Sequence, residues 1–181
     1  MKDVSPASPS RVWLMLKSLS VAVLAAVVYL ACMGPQTPAS SNLPAFELPM
    51  LGGGALSSTQ LQGKIHILNF FATWCGPCKA ELPDLQKFYA QQDASRVALI
   101  LVAAGSEHRL DIRAFVDQFK LKFPVVLEGE MLLGQLGGSG LPSTVIVDEH
   151  GHVQHFIQGM VDETRLSALV KPLLEKDHAH P

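Results

Sequence analysis

Apolar residues fall in three patterns along the chain: one long block, several short continuous runs, and stripes spaced three and four apart. The block at 12–33 (VWLMLKSLSVAVLAAVVYLACM) is broken only by Lys17, Ser18 and Ser20. At about 1.5 Å rise per residue it makes a helix of roughly 33 Å, against a bilayer core of roughly 30 Å, so its length predicts a transmembrane helix. Lys2, Arg11 and Lys17 precede or enter the block with only Asp3 against them, and no further charge occurs before Glu47. The positive-inside rule then places residues 1–11 in the cytoplasm and the bulk of the chain on the far side of the membrane. A cleaved signal peptide competes with this reading, because 19–31 has the length of a signal's apolar region. A lipoprotein site at Leu30-Ala31-Cys32 is a third reading, set back by Tyr29 at a position that normally carries an aliphatic residue. The permanent anchor is favoured over both.

The short runs lie beyond residue 43. Residues 65–72 (IHILNFFA) and 96–103 (RVALILVA) are nearly continuous stretches rich in β-branched and aromatic residues, the pattern of strands buried on both faces. Residues 46–48 predict a short opening strand, 52–54 (GGG) a turn before the 56–62 segment, and 124–127 a further extended piece. The 143–148 and 152–158 segments, joined by Glu149-His150-Gly151, predict a hairpin. Stripes at helical spacing mark 79–91 through Leu82, Leu85, Phe88 and Tyr89, and 111–119 through Ile112, Phe115, Val116 and Phe119. A last helix is expected over 162–176, opened by an Asp162 cap and interrupted by Pro172. Strands and helices alternate first, and a hairpin plus helix follows. The class is therefore α/β, a mixed central sheet flanked by helices.

Composition refines this without altering it. The chain has 181 residues, 48% of them hydrophobic, enough for one folded domain and an appendage. Residues 34–42 (GPQTPASSN) read as a flexible linker, 43–176 as the domain and 177–181 as a frayed tail. From Leu43 onward 11 Lys and Arg stand against 15 Asp and Glu with the signs interspersed, so no nucleic-acid footprint is present.

The chemistry concentrates in FFATWCGPCKAELP, residues 70–83. Cys75 follows the end of a predicted strand and stands where a helix opens, beside free N–H groups and the positive end of the helix dipole, a position that favours thiolate. Cys78, three residues on, lies one turn down the same face, within reach of a Cys75–Cys78 disulfide and better shielded. Cys75 is thus the expected attacker and Cys78 the resolving thiol. Pro77 fixes φ without contributing an N–H at the helix start, and Gly76 leaves room for a partner's sulfur. A zinc site needs two more ligands, and the only other cysteine is Cys32. A purely structural staple gains little, because loop-closure stabilisation grows with loop length and this loop is minimal. The histidines at 150, 152, 155, 178 and 180 read as solvated surface, and neither a metal nor a cofactor is expected.

WCGPC after a strand, Glu81-Leu82-Pro83 after it, Gly140-Leu-Pro-Ser-Thr144 before a strand and Val147-Asp-Glu-His-Gly151 in a hairpin together resemble the thioredoxin superfamily. The likeness is to its membrane-anchored TlpA/ResA-like thiol-disulfide oxidoreductases and covers about 43–176. It implies a thioredoxin-like fold in which Pro142 is cis beside the cysteines and Leu141 pairs its backbone with a bound substrate strand. Trp74, Gly76 and Pro77 would join them in contacting the partner, and Pro83 would kink the first long helix. Thioredoxin carries a buried Asp where this chain has Asn69, which cannot act as a base. The resemblance moves the proton-handling role to Glu81, one helical turn beyond Cys78; the competing reading is that Glu81 only favours the first turn by its charge.

The implied activity is reduction of disulfides in exported proteins on the periplasmic side of a bacterial inner membrane, supplied by a transmembrane thiol electron carrier. An oxidase or isomerase of the same fold is the alternative. A copper-binding metallochaperone would space its cysteines by three residues and add a ligand histidine, and a peroxidase would carry threonine at Ala72. Cytochrome c maturation is one precedent for the substrate, weakened by Ser143 where that branch usually has an acidic residue after its cis proline.

Overall fold

The computed structural model describes residues 41–176. The predicted anchor at 12–33 and the 177–181 tail lie outside them, and among the described residues no helix is long and apolar enough to cross a membrane.

A six-stranded sheet runs in the order β1 (Ser41–Asn42), β8 (His152–Gln158), β7 (Ser143–Val147), β4 (Ile65–Phe71), β5 (Val97–Ala103) and β6 (Val125–Val126). The β4, β5 and β6 strands are parallel; β7 is antiparallel to β4, and β8 to β7. The mixed sheet follows from the connections: helices return the chain between parallel neighbours, whereas the tight 149–151 turn forces an antiparallel pair. A separate two-stranded hairpin of β2 (Glu47–Pro49) and β3 (Ala55–Ser57) is joined through Met50 to Val126 of β6. The helices are α1 (Gly76–Ala90), α2 (Arg109–Phe119), α3 (Glu130–Gln135) and α4 (Glu163–Lys176).

Alternation along β4 divides the core in two. Ile67 and Phe71 face Leu82, Leu85 and Phe88 of α1 and Leu166 and Val170 of α4. Leu68 and Phe70 point the other way, toward Leu132, Leu133, Val145 and Val147. Asn69 shares the parity of Ile67 and Phe71, so a polar residue is aimed at the face that α1 covers.

Three details differ from the expectations or add to them. The folded part reaches back into the proposed 34–42 linker, because Ser41 and Asn42 pair with Val153 and His152. The 56–62 segment is the end of β3 followed by a 3-10 turn, Ser58–Leu61. The first helix begins at Gly76, where the sequence places its opening, with Cys75 as its cap and the 79–91 stripe inside it. The α3 helix was not anticipated; six residues containing Gly134 give too short a stripe to register a helical period. The final helix keeps its predicted cap, with Arg165 N donating to Asp162 Oδ1 at 2.7 Å, and continues through Pro172.

Candidate active site

The end of β4 delivers the chain into a tight turn in which Cys75 N donates to Ala72 O at 3.1 Å. Cys75 then caps α1: its backbone is extended, and its Sγ accepts the N–H of Cys78 at 3.2 Å. Pro77 follows at the second helical position, where no N–H is needed. The two cysteines form a disulfide of 2.06 Å with Cα atoms 5.3 Å apart. Both cysteines are buried in this disulfide state, Cys75 at 5% exposure and Cys78 at 1%. A side chain placed at Gly76 would meet nothing within 4 Å, so the helix start is open on that side.

Trp74 directly precedes Cys75. It is 66% exposed, and its indole N–H reaches only Gly105 O, at 3.4 Å. The Leu141–Pro142 peptide is cis. Antiparallel pairing of Phe70 with Ser143 brings the start of β7 to the end of β4, so Pro142 arrives at the same sheet edge as the cysteine turn. Leu141 is half-buried against both halves of the core. Gly159 N donates to Pro142 O at 2.8 Å, fixing the loop after β8 to the proline.

On the helix that Cys75 caps, three residues after Cys78, begins a buried polar group. Glu81 is fully buried; its Oε1 accepts from Asn69 Nδ2 at 2.8 Å and its Oε2 from Val161 N at 3.0 Å. The second Asn69 proton goes to Thr144 Oγ1 at 3.1 Å, and Asn69 Oδ1 is buried without a hydrogen bond. Burial pushes the Glu81 carboxyl above its ordinary value, and the donors from Asn69 and Val161 oppose that shift. Neither bond runs to a cysteine: the carboxylate reaches across to β4 and to the loop after β8. The Glu81 side chain points inward, away from the helix surface.

Sequence reasoning singled out Asn69 and Glu81 separately but not the bond between them, and it missed Thr144, Val161 and Glu107. Glu107, between β5 and α2, accepts the backbone N–H of Thr73 on its Oε1. Thr144 is the strand residue opposite Asn69 only through the β4–β7 register, a long-range pairing, and a backbone N–H such as that of Val161 leaves no sequence signal. In the hairpin turn Asp148 Oδ1 accepts from His150 N and His152 N at 3.0 and 2.9 Å, so the acidic residue shapes the turn, with the His152 ring Nδ1 3.5 Å from its Oδ2 and the His150 ring beside Glu149.

Residues 39–156 match the AhpC/TSA family. The thiol-disulfide oxidoreductase ResA of Halalkalibacterium halodurans is 35% identical over 133 residues, covering 70% of this chain and 74% of that protein. Among solved structures, a thiol:disulfide interchange protein of the thioredoxin family from Chlorobium tepidum superposes with a TM-score of 0.66 at 27% identity, over 75% of this chain and 97% of the other. A thiol-disulfide isomerase from Corynebacterium glutamicum gives 0.64 at 28%, over 74% and 97%. The cysteine turn, the helix it caps and the sheet that carries them are therefore those of a known lineage, and the chain belongs to the AhpC/TSA family as a ResA-like thiol-disulfide oxidoreductase.

Proposed function

We propose that the chain is a membrane-anchored reductase of disulfides in exported proteins, with its folded domain outside the cytoplasm. The observation that carries the chemistry is the capping of α1 by Cys75, whose sulfur receives the Cys78 N–H. That donor and the helix dipole stabilise negative charge on Cys75 in the reduced protein. The Cys75 thiolate attacks one sulfur of a partner disulfide and expels the other as a thiolate. Cys78, once deprotonated, attacks Cys75 Sγ, closing the internal disulfide and releasing the partner's second thiolate. Two electrons pass to the partner, and the disulfide form described above is the product state.

Glu81 is the proposed acceptor of the Cys78 proton. Its two hydrogen bonds leave a lone pair on each oxygen, and its raised affinity for a proton suits the task. Trp74, Gly76 and Pro77 on one side and Leu141 and Pro142 on the other form the partner surface, with the Leu141 backbone pairing to an extended segment. The apolar block at 12–33 supplies the anchor, and a transmembrane thiol carrier returns the pair to the dithiol state.

Gly-Pro between the cysteines favours reduction. Potentials from thioredoxin to DsbA span about 150 mV, roughly 7 kcal/mol for two electrons, so the oxidase or isomerase alternative is decided by titration against glutathione. A value at the strongly oxidising end would reverse the proposed direction. Cys78→Ala tests the mechanism: it is expected to accumulate mixed disulfides on Cys75 with both substrate and electron donor. An empty trap with Cys75 intact would refute the exchange sequence.

A further inference from the structure

We propose that Glu107 tunes the redox equilibrium of the Cys75–Cys78 pair, as an uncompensated negative charge held against the turn that carries Cys75. It is a positioning residue that acts through Cys75, and the inference is indifferent to whether the pair reduces or oxidises its partners.

Three contacts fasten the loop after β5 to the approach to the cysteines. Ala104 N donates to Phe71 O at 2.9 Å, the Trp74 indole N–H reaches Gly105 O, and Thr73 N donates to Glu107 Oε1. Thr73 lies inside the turn closed by Cys75 N and Ala72 O. The fit is close: a Cβ on Gly105 would stand 2.5 Å from Ala72 Cβ and 2.8 Å from Glu107 Oε2. Glu107 Oε2 is thus wedged into the crevice between the two loops, buried and without a hydrogen bond.

No cation among the described residues forms an ion pair with Glu107. Arg109, two residues on, gives its Nη1 to Met50 O and Leu51 O at 3.0 and 3.1 Å. Glu107 shares a cavity of about 200 Å³ with His108, Arg109, Glu128 and Glu130, and Glu130 is engaged by the hydroxyl of Ser106. A buried carboxylate oxygen with no donor costs stability. Holding the loop requires only an acceptor, which a neutral side chain also provides, so the charge itself is the feature left to explain.

Its effect has a definite sign. A nearby negative charge disfavours the Cys75 thiolate, whereas the disulfide carries no charge to repel. Glu107 therefore weakens the reduced form once Cys75 ionises and makes the pair more reducing.

The deciding variant is Glu107→Gln, which keeps an acceptor for Thr73 N and removes the charge; Glu107→Ala removes both. In the full chain, the equilibrium constant with glutathione and the thiolate absorbance of Cys75 are measured from about pH 6 to about pH 9. For Glu107→Gln, the Cys75 titration moves to lower pH. The equilibrium constant stays near that of the wild type while both thiols are protonated. It then shifts toward oxidising at higher pH, on the order of three- to tenfold, with a plateau equal to the ratio of the two acid constants. An unchanged or raised Cys75 titration in Glu107→Gln overturns the proposal, and a change confined to Glu107→Ala assigns Glu107 to loop support alone.

Discussion

Replacing Glu81 by Gln removes one charge and leaves nearly the same shape. The carboxylate holds two donors, Asn69 Nδ2 at 2.8 Å and Val161 N at 3.0 Å. In the variant the amide oxygen keeps the Val161 bond, and the new amide nitrogen needs an acceptor. Asn69 supplies one: half a turn of its amide brings the unbonded Oδ1 to the place now held by Nδ2, where Thr144 Oγ1 can donate to it as well. The polarity of the group reverses and the number of hydrogen bonds is kept, at the cost of placing the Asn69 amide nitrogen where Oδ1 had no partner. Glu81→Leu loses both bonds outright and leaves the donors from Asn69 and Val161 without an acceptor, at about 1–3 kcal/mol each, on the order of 2–6 kcal/mol together.

The pH dependence separates the two effects. Burial raises the Glu81 pKa above its ordinary 4.5, so the native state holds the proton more tightly than the unfolded chain. The Glu81 contribution to wild-type stability is therefore greatest below the unfolded value. It falls as pH rises through the window up to the native value and is level above it. Glu81→Gln has nothing to titrate there, so its stability relative to the wild type climbs across the same window and then levels. The height of that step, at about 1.4 kcal/mol per pKa unit, reads the shift directly. The assay is urea unfolding of both oxidised proteins in steps from about pH 4 to about pH 8, with other carboxylates cancelling in the difference. A difference that is flat with pH, or a Gln variant as unstable as the Leu variant at neutral pH, refutes the reasoning.

Gly105→Ala is expected to cost about 1–3 kcal/mol in unfolding free energy, because the added methyl meets Ala72 and Glu107 at under 3 Å; a thermal midpoint equal to the wild type would show that the two loops separate freely. Trp74→Ala should change stability by less than about 0.5 kcal/mol, since the indole is 66% exposed, while raising KM for a protein disulfide more than it lowers kcat. Equal kinetics with a folded protein substrate would remove Trp74 from the partner surface.

Much of the architecture was legible because the runs at 65–72 and 96–103 and the stripe beginning at Leu82 are long enough to fix their own periods. The pieces that escaped are short: Glu130–Gln135 is six residues and Ser41–Asn42 two, and neither carries a period. At the site, Cys75 and Cys78 announce themselves by spacing and by the strand before them. Glu81 illustrates the opposite case, since a helical carboxylate in the first turns is ordinarily a surface group. Only the approach of Asn69 and Val161 makes it an interior one. Glu107 carried no signal at all, because its role depends on a loop with neither period nor motif folding back on Thr73.

The Glu81 bonds also tie the site to the far end of the chain. Val161 lies 80 positions after Glu81, and Thr144 lies 75 after Asn69. A chain emerging from its amino end acquires both cysteines early, yet it lacks the strand, the proline and the backbone N–H that complete their surroundings. Until the hairpin of β7 and β8 docks and the loop beyond it closes, the thiols exist without a shaped site. The surroundings of the pair are thus completed by residues far along the chain, and a copy that ends before Val161 would carry both cysteines without the full set of contacts around Glu81.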